Sequence, residues 1–136
     1  MRILMPLMAG LAFALPAAAQ QFTTAAEVRP ILEATKRSWV AVREYDGKDL
    51  LYFTQLLSWR CGLEGIGYAV NGGPQQPWPM EPCYEDAAQP NAIKSESILP
   101  YTAFPLSSVE TISVQIVYDD GVTDTADYNR ADVMTP

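Results

Sequence analysis

The carboxylates are the side chains of this chain with the greatest capacity for chemistry. The 136-residue sequence contains 16 acidic residues and no histidine. Serine–histidine and cysteine–histidine nucleophile systems and histidine zinc sites are therefore excluded, because each requires an imidazole. Two carboxylates can still hydrolyse a glycosidic bond, one as the acid and the other as base or nucleophile. Glu44 and Asp49 would be such a pair, so a small carboxylate-based hydrolase acting on an envelope glycan is one interpretation.

A second group of carboxylates, Asp119, Asp120, Asp124 and Asp127, lies near the C-terminus. Calcium requires about six to eight converging oxygens, and the spacing here is not that of an EF-hand loop. Turn formation accounts for Asp119 and Asp120 without a metal. The sequence therefore predicts neither a metal site nor a cofactor.

Residues 71–92 form a Pro/Gly-rich loop, and proline favours extended, polyproline-like backbone there. Trp78 lies between two prolines of this loop, and two interpretations of it remain open. It folds back and caps the sheet, or it is an exposed aromatic anchor for a partner protein. In the second case Trp78, Met80 and Tyr84 are the candidate partner-binding residues. Large aromatic side chains usually gain more from burial, which favours the first interpretation.

The two cysteines, Cys61 and Cys83, are expected to form one structural disulfide. A redox pair normally has Cys-x-x-Cys spacing, which is absent, and a metal pair would have no histidine partner. The bond would close a loop of about 22 residues, which corresponds to roughly 3 kcal/mol of stabilisation.

Residues 1–19 have the pattern of a secretory signal peptide. Arg2 provides the positive charge, residues 3–15 are apolar, and Ala17-Ala18-Ala19 provides an Ala-x-Ala cleavage site. Cleavage after Ala19 would leave residues 20–136, a length that suits one small domain. No later run is apolar enough to span a bilayer. We therefore expect a periplasmic or secreted protein.

The mature chain would be strongly acidic. Removing Arg2 leaves 8 basic and 16 acidic side chains, a balance of −8. Such a surface repels nucleic acid and anionic lipid, because both are bound through Lys and Arg. It favours a basic partner, although negative charge also simply promotes solubility.

Turn signals predict the strands. Asp46-Gly47 and Glu64-Gly65 separate runs rich in β-forming residues between residues 38 and 70, which predicts a three-stranded meander. Its pairs would include Val42 with Leu51, Val40 with Phe53, Cys61 with Tyr68 and Trp59 with Val70. Residues 107–118 alternate between apolar and polar, and Asp119-Asp120-Gly121 then turns the chain into a returning strand at residues 122–128.

The sequence therefore predicts an α+β fold with one disulfide. A capping-box pattern, Thr24 to Glu27, opens an amphipathic helix over residues 25–36, which would pack on one antiparallel sheet of about five strands. The strands are the meander and the C-terminal hairpin. Residues 93–104 are ambiguous, since Pro100 and Pro105 disfavour a central strand there but allow an edge strand. One continuous sheet face would bury the following core residues: Val40, Val42, Leu51, Phe53, Trp59, Ile112, Val114 and Ile116.

The chain resembles small exported proteins of alphaproteobacteria. The resemblance is carried by residues 39–54 (Trp-Val-Ala-Val-Arg-Glu-Tyr-Asp-Gly-Lys-Asp-Leu-Leu-Tyr-Phe-Thr), by Trp59-Arg60-Cys61-Gly62 and by Val117-Tyr118-Asp119-Asp120-Gly121. It covers most of the mature chain. It implies a periplasmic or secreted location and no particular activity, so no site residue is transferred from it.

Export, the absence of a catalytic constellation and a disulfide-fixed loop together predict a non-catalytic protein- or envelope-binding domain. Charge complementarity suggests an inhibitor or accessory of a basic partner, for example a secreted lysozyme. The carboxylate hydrolase and a purely structural or assembly-accessory protein are the alternatives.

Overall fold

The computed structural model describes residues 21–136, and the predicted signal peptide, residues 1–19, lies outside them. The described chain is an α+β fold with two antiparallel sheets and one disulfide. The prediction of one sheet of about five strands is wrong, because seven strands divide into a sheet of three and a sheet of four. Between residues 21 and 136 no helix has the length and apolar character to cross a membrane.

The elements follow one another along the chain with irregular segments between them. The helices are α1 (Ala25–Ala34), α2 (Thr54–Leu57) and α3 (Arg130–Val133). The strands are β1 (Ala41–Tyr45), β2 (Lys48–Tyr52), β3 (Leu63–Val70), β4 (Gln76–Pro77), β5 (Tyr101–Pro105), β6 (Thr111–Tyr118) and β7 (Thr123–Asn129). One sheet has the order β1-β2-β5 and the other the order β4-β3-β6-β7.

Helix α1 begins with the capping pattern that the sequence indicates. The Thr24 hydroxyl accepts a hydrogen bond from Glu27 N–H at 3.3 Å, and the Glu27 carboxylate accepts one from Phe22 N–H at 3.2 Å. The helix ends at Ala34, two residues before the predicted end, and a single 3-10 turn follows at Lys36–Ser38.

The first hairpin forms in the predicted register. Asp46 and Gly47 both have positive φ, 51° and 70°, and Val42 pairs with Leu51. The ladder ends at Ala41 and Tyr52, so the predicted pairing of Val40 with Phe53 lies just beyond it.

The second predicted hairpin is wrong. β2 stops at Tyr52, α2 follows at once, and Glu64 and Gly65 lie inside β3, where the register shifts between Leu63 and Gly65. The predicted pairs of Cys61 with Tyr68 and of Trp59 with Val70 therefore do not form. The run after β2 contains Leu56 and Leu57, which a short helix buries as well as a strand would.

The C-terminal hairpin forms as predicted, except that β6 begins at Thr111, four residues after the predicted start at residue 107. Ile112, Val114, Ile116 and Tyr118 are each at most 1% exposed, and they alternate with more exposed residues along β6. Gly121 has φ +83° in the turn to β7, a conformation that glycine adopts without strain.

Both sheets contribute to one hydrophobic core. Val40, Val42, Leu51, Phe53, Ile112, Val114 and Ile116 are buried as predicted, but they do not lie on one continuous sheet face, since they come from both sheets. Trp59 lies at the margin of this core and is partly exposed.

Candidate functional site

The Cys61–Cys83 disulfide joins two segments that are remote in sequence. The bond is present as predicted, with the two Cα atoms 5.0 Å apart. Cys61 lies in the 3-10 turn Arg60–Gly62 that precedes β3, and Cys83 lies in the irregular segment between β4 and β5. Glu64 and Glu85, which follow the two cysteines closely, are thereby brought to the same end of the four-stranded sheet.

The turn between β6 and β7 closes on the same place. Asp119 N–H donates to the Gly62 carbonyl oxygen at 3.0 Å. A Cβ atom at Gly62 would lie 2.3 Å from a methyl group of Val28, so only glycine lets α1 pack this closely against the turn. Asp119 is therefore held beside the disulfide by the backbone.

These three segments create an acidic surface, which we define as Glu64, Glu85, Asp119 and Asp120. Partial desolvation raises the pKa of Asp119, and the charges of Glu64, Glu85 and Asp120 raise it further. Glu64, Glu85 and Asp119 are exposed, and within residues 21–136 none of the three forms an ion pair. Only Asp120 is paired, to Arg29 at 2.5 Å. The acidic surface therefore carries negative charge that a cation from outside would neutralise.

Arg60 holds the irregular loop from beneath. Its side chain is 1% exposed, and its guanidinium group donates six hydrogen bonds of 2.7–3.2 Å to backbone carbonyl oxygens. The acceptors belong to Leu57, Glu81, Pro82, Asn91 and Ala92. Because four of the five lie in the loop, one buried cation fixes both flanks of Cys83.

Glu81 completes this buried network. Its carboxylate lies 3.6 Å from Arg60 Nη2 and accepts hydrogen bonds from Lys94 N–H at 2.9 Å, Ser95 N–H at 2.7 Å and the Tyr84 hydroxyl at 2.6 Å. Burial raises the pKa of Glu81, but these hydrogen bonds outweigh it and the net pKa is lowered. Buried hydrogen bonds thus hold the loop in place although little of it is helix or strand.

Trp78 lies in the core, where the sheet-capping interpretation puts it. It is 6% exposed, stacks on Phe53 with ring centroids 4.1 Å apart, and donates its backbone N–H to Ile66 at 2.8 Å. Its indole is therefore not displayed to a partner. Met80 and Tyr84 are half-buried. Lys94 Nζ lies 4.7 Å from the centroid of the Tyr84 ring. In sequence, Tyr84 directly precedes Glu85 of the acidic surface.

Glu44 and Asp49 are brought together, but as partners of Arg130. Arg130 lies 2.7 Å from Glu44 and 2.5 Å from Asp49, and Asp49 also accepts hydrogen bonds from Ser107 N–H and Val109 N–H. The hydrogen bonds from Arg130 hold the pKa of Asp49 well below its usual range, although burial opposes them. This environment favours the ionised form of Asp49 over that of a proton donor, and both carboxylates of the pair are engaged by Arg130.

The C-terminal aspartates are not arranged as a cation site. Asp124 pairs with Lys36 at 2.6 Å and Asp120 with Arg29. Over the described part of the chain, no three side chains of histidine, cysteine, aspartate or glutamate are placed to hold a metal ion.

The sequence interpretation missed the buried charges. Arg60 directly precedes Cys61, and Glu81 lies two residues before Cys83, so the disulfide itself places the two charges close together. That spacing was the available signal. The acidic surface had no such signal, because its members come from three separate segments.

Comparison of the chain with protein-family models, with curated proteins and with solved structures finds no match.

Proposed function

We propose that the protein is a non-catalytic exported domain that binds a basic protein or cell-envelope component through its acidic surface. The observation that carries this proposal is the grouping of Glu64, Glu85 and Asp119. They are exposed carboxylates from three segments, and none of the three forms an ion pair with a cation of the described residues.

Mutual repulsion at this surface opposes folding, and a cationic partner would remove it. The balance of −8 expected for the mature chain adds a long-range attraction for the same class of partner. Complementary charge of this kind mainly raises the association rate and rejects acidic competitors.

The fixed loop supports the same function. The disulfide and the Arg60–Glu81 network hold Glu85 and its neighbours before any partner arrives. Binding then costs little conformational entropy, because the loop is already ordered.

A disulfide is compatible with an exported protein, since such bonds persist in oxidising compartments. Together with the signal-peptide pattern it supports a periplasmic or secreted location. Within this proposal, an inhibitor of a basic secreted enzyme such as a lysozyme is the narrower form.

Two measurements test the proposal. Calorimetric titration with a basic lysozyme and capture from envelope extract should both show binding that weakens as salt rises. The triple variant Glu64→Gln, Glu85→Gln, Asp119→Asn should lose this binding.

A matched triple variant separates the acidic surface from net charge. Glu96→Gln, Glu110→Gln and Asp127→Asn remove the same number of exposed charges elsewhere and should leave binding nearly unchanged. Equal losses in the two triple variants, or no binding to lysozyme or to any envelope fraction, would contradict the proposal.

A further inference from the structure

A groove of about 430 Å³ is lined in part by residues 88–92, which belong to the same loop as Glu85. Its apolar lining is formed by Phe22, Trp59, Ala88, Pro90 and Ala92. Phe22 and Trp59 meet edge to face, with ring centroids 5.0 Å apart, and both are partly exposed. The groove therefore offers an aromatic floor that is open to solvent.

The backbone of Phe22, in the floor of the groove, has a strained conformation. Phe22 has φ +55°, in the left-handed region that a side chain with a Cβ rarely adopts. Two contacts maintain it: Phe22 N–H donates to the Glu27 carboxylate, and the Phe22 carbonyl accepts from Asn91 Nδ2 at 2.9 Å. Strained backbone persists only where its surroundings determine it, as they do here.

Asn91 links the groove to the disulfide. Its side-chain oxygen accepts a hydrogen bond from Cys61 N–H at 2.8 Å, while its nitrogen holds Phe22. The wall of the groove and the disulfide are thus parts of one fixed assembly.

The same loop carries charge next to the groove. Tyr84 N–H donates to Pro90 O at 3.0 Å, which closes residues 84–90 into a compact loop. Its outward turn holds Glu85 and Asp86, both exposed, and its return forms the groove wall from Ala88 onward. An apolar surface and two carboxylates therefore lie within a few residues of each other.

We infer that the groove receives an apolar side chain of the basic partner, flanked by a lysine or arginine that pairs with Glu85 or Asp86. This inference rests on the proposed function and specifies its contact. Charge complementarity selects the occupant, because an acidic segment would be repelled by the two carboxylates. The apolar side chain would supply the affinity and the flanking cation the selectivity.

Short peptides test the inference on the purified protein. The probes are the blocked tripeptides Lys-Leu-Lys, Lys-Ser-Lys and Glu-Leu-Glu, and the readout is the indole N–H signal of Trp59 in NMR spectra. Trp39 and Trp78 are at most 6% exposed, so their signals serve as internal references. Lys-Leu-Lys should bind about tenfold more tightly than Lys-Ser-Lys, because only leucine buries apolar surface in the groove. Glu-Leu-Glu should bind more weakly than Lys-Leu-Lys.

A blocking variant and its control complete the experiment. Ala88→Arg should abolish the Trp59 response by filling the groove, and Ala103→Arg should not, since Ala103 is an exposed alanine outside the groove. The backbone N–H signals of Glu64 and Asp119 are followed in the same spectra. If both Lys peptides bind equally and shift only these two signals, the groove is not the binding site, whereas the acidic surface still is. A Trp59 response as strong with Glu-Leu-Glu would overturn the assigned partner. If no peptide shifts any of these signals, both the groove and the acidic surface are wrong.

Discussion

Replacement of Arg60 by methionine is expected to destabilise the fold by about 3–5 kcal/mol, the usual cost of removing one member of a buried ion pair. Methionine retains much of the packing volume and removes the charge. Glu81, whose side chain is 3% exposed, would then lose its cation, and five backbone carbonyl oxygens would lose their donor.

The carbonyl groups that lose their donor give a second estimate of the destabilisation caused by Arg60→Met. A buried polar group left without a partner costs about 1–3 kcal/mol, so five such groups set an upper bound of about 5–15 kcal/mol. The loop can open and expose some of these carbonyl groups to water. The expected loss of unfolding free energy therefore stays at about 3–5 kcal/mol. For a domain of this size, a destabilisation of about 3–5 kcal/mol corresponds to a fall in Tm of roughly 10–25 °C.

Urea denaturation followed by circular dichroism measures the loss. Arg60→Lys keeps the charge opposite Glu81 but loses the planar fork, so it should cost less than methionine while still weakening the hydrogen bonds to the loop carbonyls. The double variant Arg60→Met, Glu81→Met should cost less than the sum of the single variants, because no unpaired charge remains. A change below about 1 kcal/mol in Arg60→Met would refute the view that this network fixes the loop.

Further predictions concern the other buried groups and the chain terminus. The lowered pKa of Asp49 contributes stability above the unfolded value of about 4 and loses it as pH falls below, so Asp49→Asn should flatten the loss of stability on acid titration. Trp78→Ala should cost about as much as Phe53→Ala, about 3–5 kcal/mol, and an unchanged Tm would contradict its place in the core. Cys83→Ser should destabilise by roughly 3 kcal/mol, whereas two free thiols on titration of the native protein would contradict the disulfide. Intact-mass measurement of the exported protein should give Gln20 as the first residue, and a retained leader would refute the signal-peptide prediction.

Local turn chemistry accounts for the part of the fold that was predictable. Asp46-Gly47 requires positive φ at both residues, which fixes the register of Val42 with Leu51. The alternation along β6 and the glycine at 121 act in the same way. These signals depend on a few neighbouring residues, so the sequence contains them in full.

The end of β2 was not predictable in this manner. The apolar run after Tyr52 continues without a break, and its length does not distinguish a strand from a short helix. Leu56 and Leu57 are buried in the shared core when this run forms α2, and this packing favours the helix over a continued strand. The missed helix displaced the expected second hairpin and so divided one sheet into two.

The charged parts of the site depend on contacts between remote segments. Arg60 reaches Asn91 and Ala92, about 30 residues further along the chain, and Arg130 reaches Asp49 across 81 residues. From the sequence alone, a charged residue in a loop or tail is most simply interpreted as solvated. The net charge of the sequence therefore indicated a negative surface, but it could not indicate which residues form that surface.

The most direct test of the acidic surface is an NMR titration of the purified protein with deca-lysine at low salt. The largest shifts should fall on Gly62, Glu64, Glu85 and Asp119, and they should disappear as salt is raised. Shifts of equal size at Glu33, Glu96, Glu110 and Asp127 would show that the negative charge acts diffusely, and they would contradict a binding surface built around the disulfide.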